Sequence, residues 1–145
     1  MRQTLGIRNL NPLNIRVTKD TWQGQIQPKK EGGFCEFATL WYGLRAAVVL
    51  LFNYRVKYGL KTVRGIISRW APPADNNDTE SYIQYVCRNM DVKPDETLDF
   101  KKWLTFRDLY FNMAMVESGL TMDEMITPQV YELWRQQRIK HLSSL

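Results

Sequence analysis

Cleaving a glycosidic bond takes a carboxyl group that keeps its proton near neutral pH, plus a second carboxylate or a substrate group to meet the developing charge. The first half of this sequence offers Asp20, Glu31 and Glu36. Glu36 lies within Phe34-Cys-Glu-Phe37, an apolar setting of the kind that raises a carboxyl pKa, and it is the candidate general acid. Its structural alternative is to face solvent or to favour the N-terminus of the helix that follows. Asp75, Asp78 and Glu80 cluster in a later loop, where one of them acts as the second carboxylate or, more simply, as a helix cap. Asn11, Asn14 and Trp22 supply planar hydrogen-bonding groups beside an aromatic face, the pairing a sugar ring requires. Asparagine turns and a packed tryptophan serve structure equally well. Arg45 either holds a loop acid such as Asp75 or Asp78 or reaches substrate, and Trp70 before Pro72-Pro73 reads as packing over the core.

Other chemistries find no residues. There is one histidine and there are two cysteines, so no zinc-type spacing exists and at most one disulfide. Cys35 and Cys87 sit among apolar neighbours and read as buried free thiols. No Gly-rich phosphate loop and no Ser/His/Asp or Cys/His set is present, which removes nucleotide hydrolysis and nucleophilic proteolysis. Neither a metal nor a cofactor is expected. The longest apolar run, Ala46 to Phe52, is far too short to span a membrane. The first residues lack the apolar stretch of a secretory signal.

The net charge of +5 divides unevenly, +9 over residues 1–72 and −4 over residues 73–145. The basic half suits nucleic acid, a phosphate-rich wall polymer or an acidic partner protein, or else it is a solvated face balanced by the acidic half.

The elements that must position these groups are mostly helices. Leu40, Leu44, Val48, Leu51 and Val56 recur near helical spacing in a helix from about Thr39 to Tyr58, with Gly59 as its C-terminal cap. Apolar residues on both its flanks make it the buried central helix. A short helix over 62–70 ends at Pro72-Pro73. Asn77, three residues before Glu80, opens a helix through about Asn89. A long amphipathic helix over 100–117 carries Trp103, Phe106, Leu109, Tyr110 and Met113 on one side. Thr121-Met-Asp-Glu124 is a capping box, and Thr127-Pro128 opens a last helix that frays from about residue 140. Before all of these, residues 14–18 and 21–26 form a small β-hairpin around Lys19-Asp20 or an irregular lobe, closed by Gly32-Gly33. The fold class is mainly α with a small β or irregular N-terminal lobe. It is one domain, with a lobe over 1–34, a helical core over 35–95 and a C-terminal helical extension over 96–145.

Three stretches are more particular than propensity requires. They are Gly6-Ile-Arg-Asn-Leu-Asn-Pro-Leu-Asn-Ile-Arg16 with Trp22-Gln-Gly24; Phe34-Cys-Glu-Phe37 with Tyr42-Gly-Leu-Arg-Ala46; and Trp70-Ala-Pro-Pro73 with Asn77-Asp-Thr-Glu-Ser-Tyr82. Over about residues 6–95 the chain resembles a family of small bacteriophage and prophage proteins described as structural or virion proteins. It departs from that family's pattern at Leu10, where asparagine is usual, and at Leu13, where glycine is common. The Asn-rich turn, the Trp-x-Gly and the Phe-x-x-Phe leading into a long helix resemble, more distantly, the substrate cleft of lysozyme-like peptidoglycan hydrolases of the glucosaminidase type. Those enzymes place their acid upstream of the Asn-rich turn, and here no acid precedes Asn11.

The resemblance implies a lysozyme-like fold and a phage virion-associated protein. Such a protein is made in the host cytoplasm, contacts other virion proteins and reaches host peptidoglycan. A peptidoglycan-cleaving enzyme and a DNA-contacting virion protein are the alternatives. Asn77 and Tyr82, from the last motif, join Asn11, Asn14, Trp22, Arg45 and Asp75 as candidate substrate-binding residues.

Overall fold

Thr39 and Gly59 bracket the longest helix for the reasons their chemistry gives. The Thr39 hydroxyl accepts from the Tyr42 amide, and Gly59 takes the left-handed cap at φ 66° that costs a β-carbon-bearing residue more. In this computed structural model, which describes residues 3–26, 32–75 and 77–145, eight helical or 3₁₀ elements follow a four-residue helix. They are α1 (Leu5–Arg8), α2 (Leu40–Tyr58), α3 (Val63–Trp70), a 3₁₀ turn (Pro73–Asp75), α4 (Thr79–Met90), α5 (Trp103–Glu117), α6 (Met122–Met125), α7 (Pro128–Lys140) and a 3₁₀ turn (Leu142–Ser144). The protein is mainly α, as its sequence predicts, and no helix among the described residues is long and apolar enough to cross a membrane.

The central helix α2 packs against α5 and α7, while α3 lies on α4 and α4 on α5. Leu44, Ala47, Val48, Leu51 and Phe52 of α2 are all but inaccessible to solvent. Phe52 meets Phe100 and Phe106 at ring-centroid distances of 5.7 and 5.0 Å, and Phe106 stacks on Tyr110. Residues beyond 95 thus build the core of the fold, and Trp134 ties α7 to it by donating from Nε1 to the Phe100 carbonyl at 3.0 Å. Cys35 and Cys87 are buried free thiols, and burial pushes the Cys35 pKa up to about 11.

The front lobe is the irregular alternative rather than a hairpin. Its two segments do not pair with each other across Lys19-Asp20; each makes one antiparallel bridge to the 33–37 segment, Arg16 with Phe34 and Gln25 with Phe37. A third partner captured the backbone groups that a local hairpin would have used. The lobe seats closely on α2, because Gly43 lies against the Leu10 carbonyl where a β-carbon has no room.

Two further expectations are corrected. Asp78, not Asn77, caps α4: its Oδ1 accepts from the Ser81 amide at 3.1 Å, and Asn77 instead donates to the Pro72 carbonyl. Where fraying is expected from about residue 140, the last residues instead carry tertiary contacts: Arg55 donates to the Leu145 carbonyl and the His141 ring stacks on Phe52.

Candidate functional site

Asn11 organises the turn that shapes the lobe. It is fully buried; its Oδ1 accepts from the Ile15 amide at 2.9 Å, and its Nδ2 donates to the carbonyls of Ile15 and Cys35 at 3.0 and 2.9 Å. Every polar atom of the side chain is committed to backbone, so Asn11 is a scaffold residue and not a ligand contact. Asn14 follows in the left-handed region at φ 52°, which asparagine tolerates better than most residues. This conformation carries its amide across to the end of α5, where Nδ2 donates to the Glu117 carbonyl at 2.8 Å and to Glu117 Oε1 at 3.3 Å.

Between the lobe and the helices opens a cleft of ≈ 500 Å³. The lobe contributes Asn14, Arg16, Asp20, Trp22 and Phe34 to its walls. The far side of α2 and the end of α3 contribute Asn53, Tyr54, Lys57, Tyr58, Arg69 and Trp70. The loop after α3 adds Pro72, Asp75 and Asn77, and α5 adds Glu117.

Glu117 is held from two directions. Trp70 Nε1 donates to its Oε2 at 2.8 Å, and the Asn14 amide holds Oε1. Behind it lies Tyr82, buried, with its hydroxyl donating to the Met113 carbonyl at 3.4 Å. Burial first, and then the neighbouring Glu117 charge, push the Tyr82 phenol well above its ordinary pKa, so it stays a neutral O–H group.

One wall of the cleft is cationic. The Arg69 guanidinium lies 3.7 Å from the Tyr58 ring centroid and 5.6 Å from that of Tyr54, with Lys57 also lining the cleft. Burial raises the Tyr54 pKa and the Arg69 charge opposes that rise, which leaves the phenol neutral. Arg16 lies 4.7 Å over the Phe34 ring. Stacking fixes these guanidinium planes; Arg16 Nη1 donates to the Gly32 carbonyl at 3.0 Å, and a guanidinium's five N–H donors leave others for an anion.

The structure therefore brings Asn14, Trp22, Asp75 and Asn77 to one cleft, with Tyr82 behind its floor. It does not bring Asn11, Glu36 or Arg45 there. Glu36 sits between Cys35 and Phe37, both buried, on an extended segment whose side chains alternate. Its inward-facing neighbours therefore turn Glu36 to the opposite side, and it is not among the cleft-lining residues. Arg45 is half-buried on α2 and forms no ion pair with Asp75 or Asp78 among the described residues. Glu31 lies outside the described residues.

The residue that sequence reasoning missed is Glu117. A signal for it exists: Phe106, Tyr110 and Met113 define the buried face of α5, and Glu117 falls on the same face four residues further on. A carboxylate closing an apolar stripe at a helix end marks a group with a local purpose.

A mainly helical chain with a polar, aromatic cleft between a small lobe and its central helix fits many activities, and comparison narrows it to a phage protein. No protein-family model matches the chain. It is 36% identical over 123 residues to Protein P5 of Pseudoalteromonas phage PM2, a match covering 83% of this chain and 76% of that protein. The chain belongs to the family of that phage protein. The match spans more of the chain than the 6–95 stretch that carries the sequence motifs.

Proposed function

We propose that this phage protein is a component of the virion that takes a glycan strand of host peptidoglycan into the cleft between its lobe and α2. The observation that carries this reading is the pairing, in one cleft, of aromatic faces and amide groups with a stacked cationic wall. Trp22 and Trp70 offer ring faces for sugars, and Asn53 and Asn77 offer amides to hydroxyl and acetamido groups. Arg69 and Lys57 suit the carboxylates of the peptide stems, which separate peptidoglycan from a neutral polysaccharide. A cleft between a small lobe and a long helix is also the layout that the resemblance to lysozyme-like hydrolases implies.

Pelleting with purified sacculi tests the reading. Wild-type protein should co-sediment, and Trp22→Ala and Arg69→Ala, assayed below their own unfolding midpoints, should each weaken retention about tenfold. Mass spectrometry of purified particles tests the virion placement. Failure of wild-type protein to co-sediment sinks the glycan reading, and absence from particles sinks the virion one.

A further inference from the structure

We propose that two copies of this chain pair through the outer face of α5, about a two-fold axis that sets the two α5 helices antiparallel. A surface helix ordinarily turns an apolar stripe inward and a polar face outward. α5 departs from this. Its inner face is Phe106, Leu109, Tyr110 and Met113, all buried in the core. At 3.6 residues per turn, Leu104, Phe111 and Met115 fall within about 40° of one another on the opposite side. Leu104 is 59% exposed and Met115 38%, with Phe111 half-buried between them. The apolar surface continues beyond the helix, since Tyr85 of α4 and Met122 of α6 line one open groove with Phe111 and Met115. A contiguous patch built from three helices calls for a partner in a way that scattered single residues do not.

The charges on this face decide what covers it. The groove holds one cation and one anion, Arg107 and Asp108, so it offers nothing to a strongly basic or acidic protein. An anionic lipid surface would meet Asp108 together with Arg107. A second copy fits both the charges and the apolar groups. A two-fold contact sets residue i against j and j against i. Centred between Arg107 and Asp108, antiparallel pairing sets Arg107 of each copy against Asp108 of the other. Leu104 and Phe111 are equally far from that centre, so they face each other as well. Within the chain, Arg107 Nε and Nη2 both donate to Asp108 Oδ1, at 3.0 and 2.9 Å. Oδ2 has no partner among the described residues, and a guanidinium has five N–H donors, so each group keeps bonding capacity for the second copy. The pairing does not depend on the glycan reading. Glu117, at the floor of the cleft, lies on the inner face of α5, so a dimer built on the outer face leaves each cleft open.

Sedimentation velocity of the full chain over a concentration series tests this. Wild-type protein should pass from 17.1 kDa to twice that mass. Arg107→Glu and Asp108→Lys each set like charges across the axis, and each should weaken dimerisation about tenfold or more. Mixed in equal amounts, the two variants restore opposite charges at both contacts, and association should return to within about threefold of wild type. A defect confined to one chain's own fold has no such rescue. Leu104→Lys, at the most exposed position of the stripe, should weaken dimerisation to a similar degree, and it replaces a charge variant that lacks a cooperative melt. Wild-type protein that stays monomeric up to about 1 mM overturns the proposal. So does a dimer that all three variants leave unchanged, or a loss in both charge variants that mixing does not rescue. Monomeric wild-type protein that floats with phosphatidylglycerol vesicles, and fails to in Leu104→Lys, gives the face to lipid instead.

Discussion

The indole N–H of Trp70 and the carboxylate of Glu117, 47 positions apart in sequence, meet at 2.8 Å across the floor of the cleft. The bond joins the end of α3 to the end of α5, two helices that each pack on α4. Trp70→Phe keeps the ring but deletes the donor, and it should destabilise the protein by about 1.5–3 kcal/mol in urea unfolding, the range for hydrogen bonds to charged groups. A loss below about 0.5 kcal/mol would mean that water replaces the indole without cost.

Asn11→Ala should be among the costliest polar substitutions in the chain. It strips the partner from the Ile15 amide and from the Cys35 carbonyl, in a site that solvent does not reach, and leaves the Ile15 carbonyl with the Cys35 amide alone. A loss of about 2–4 kcal/mol is expected from chemical denaturation. Asn11→Asp should fare no better, since it removes the donor and buries a charge.

The start of α4 separates a cap from a cleft residue. Asp78 accepts from both the amide and the hydroxyl of Ser81, so Asp78→Ala should cost about 1 kcal/mol. Among the described residues Asn77 makes one exposed bond, to the Pro72 carbonyl, and it lines the cleft, so Asn77→Ala should change stability by under about 0.5 kcal/mol and instead weaken sacculus retention. The reverse pattern in thermal melts and pelleting would restore Asn77 as the cap.

Stability should fall on mild acidification through the single histidine. His141 packs on Phe52, and burial, followed by the Lys140 charge, depresses its pKa below the ordinary 6.5. With the folded pKa below the unfolded one, the unfolded chain binds more protons around and below pH 6.5. The histidine's contribution is therefore complete above that value and is lost as pH falls through the folded pKa. His141→Gln should flatten this part of the stability curve between pH 7.5 and about 5. A wild-type curve as flat as the variant's there would show that the ring is solvated in both protonation states.

The helices were legible because their signals are local. Thr39 and Gly59, the Thr121 capping box and Thr127-Pro128 each lie within a turn of the boundary they set. The lobe was not legible, since the partners of residues 16 and 25 lie at 34 and 37 and turn chemistry at Lys19-Asp20 says nothing about a third strand-like segment. Asn14, Trp22, Asp75 and Asn77 could be picked by residue type, because amides and rings near turns are recognisable in isolation. Glu36 and Glu117 could not be ranked that way. Which carboxylate reaches the cleft depends on side-chain alternation next to Cys35 for the one and on the docking of α5 against the lobe for the other.

The floor of the cleft is closed by partners more than a hundred positions apart: Asn14 holds Glu117, and Thr4 donates to the Ser118 carbonyl. During translation, then, a nascent chain that has emerged only as far as α4 owns the aromatic walls but neither the carboxylate nor the strut that closes the floor. The entropy of closing so long a loop grows only logarithmically and is a modest thermodynamic burden, but such distant pairings form late and slow the folding rate. The assembled pocket is therefore a property of the nearly finished polypeptide, and a ribosome stalled or a protease acting anywhere between the two partners yields a product without it.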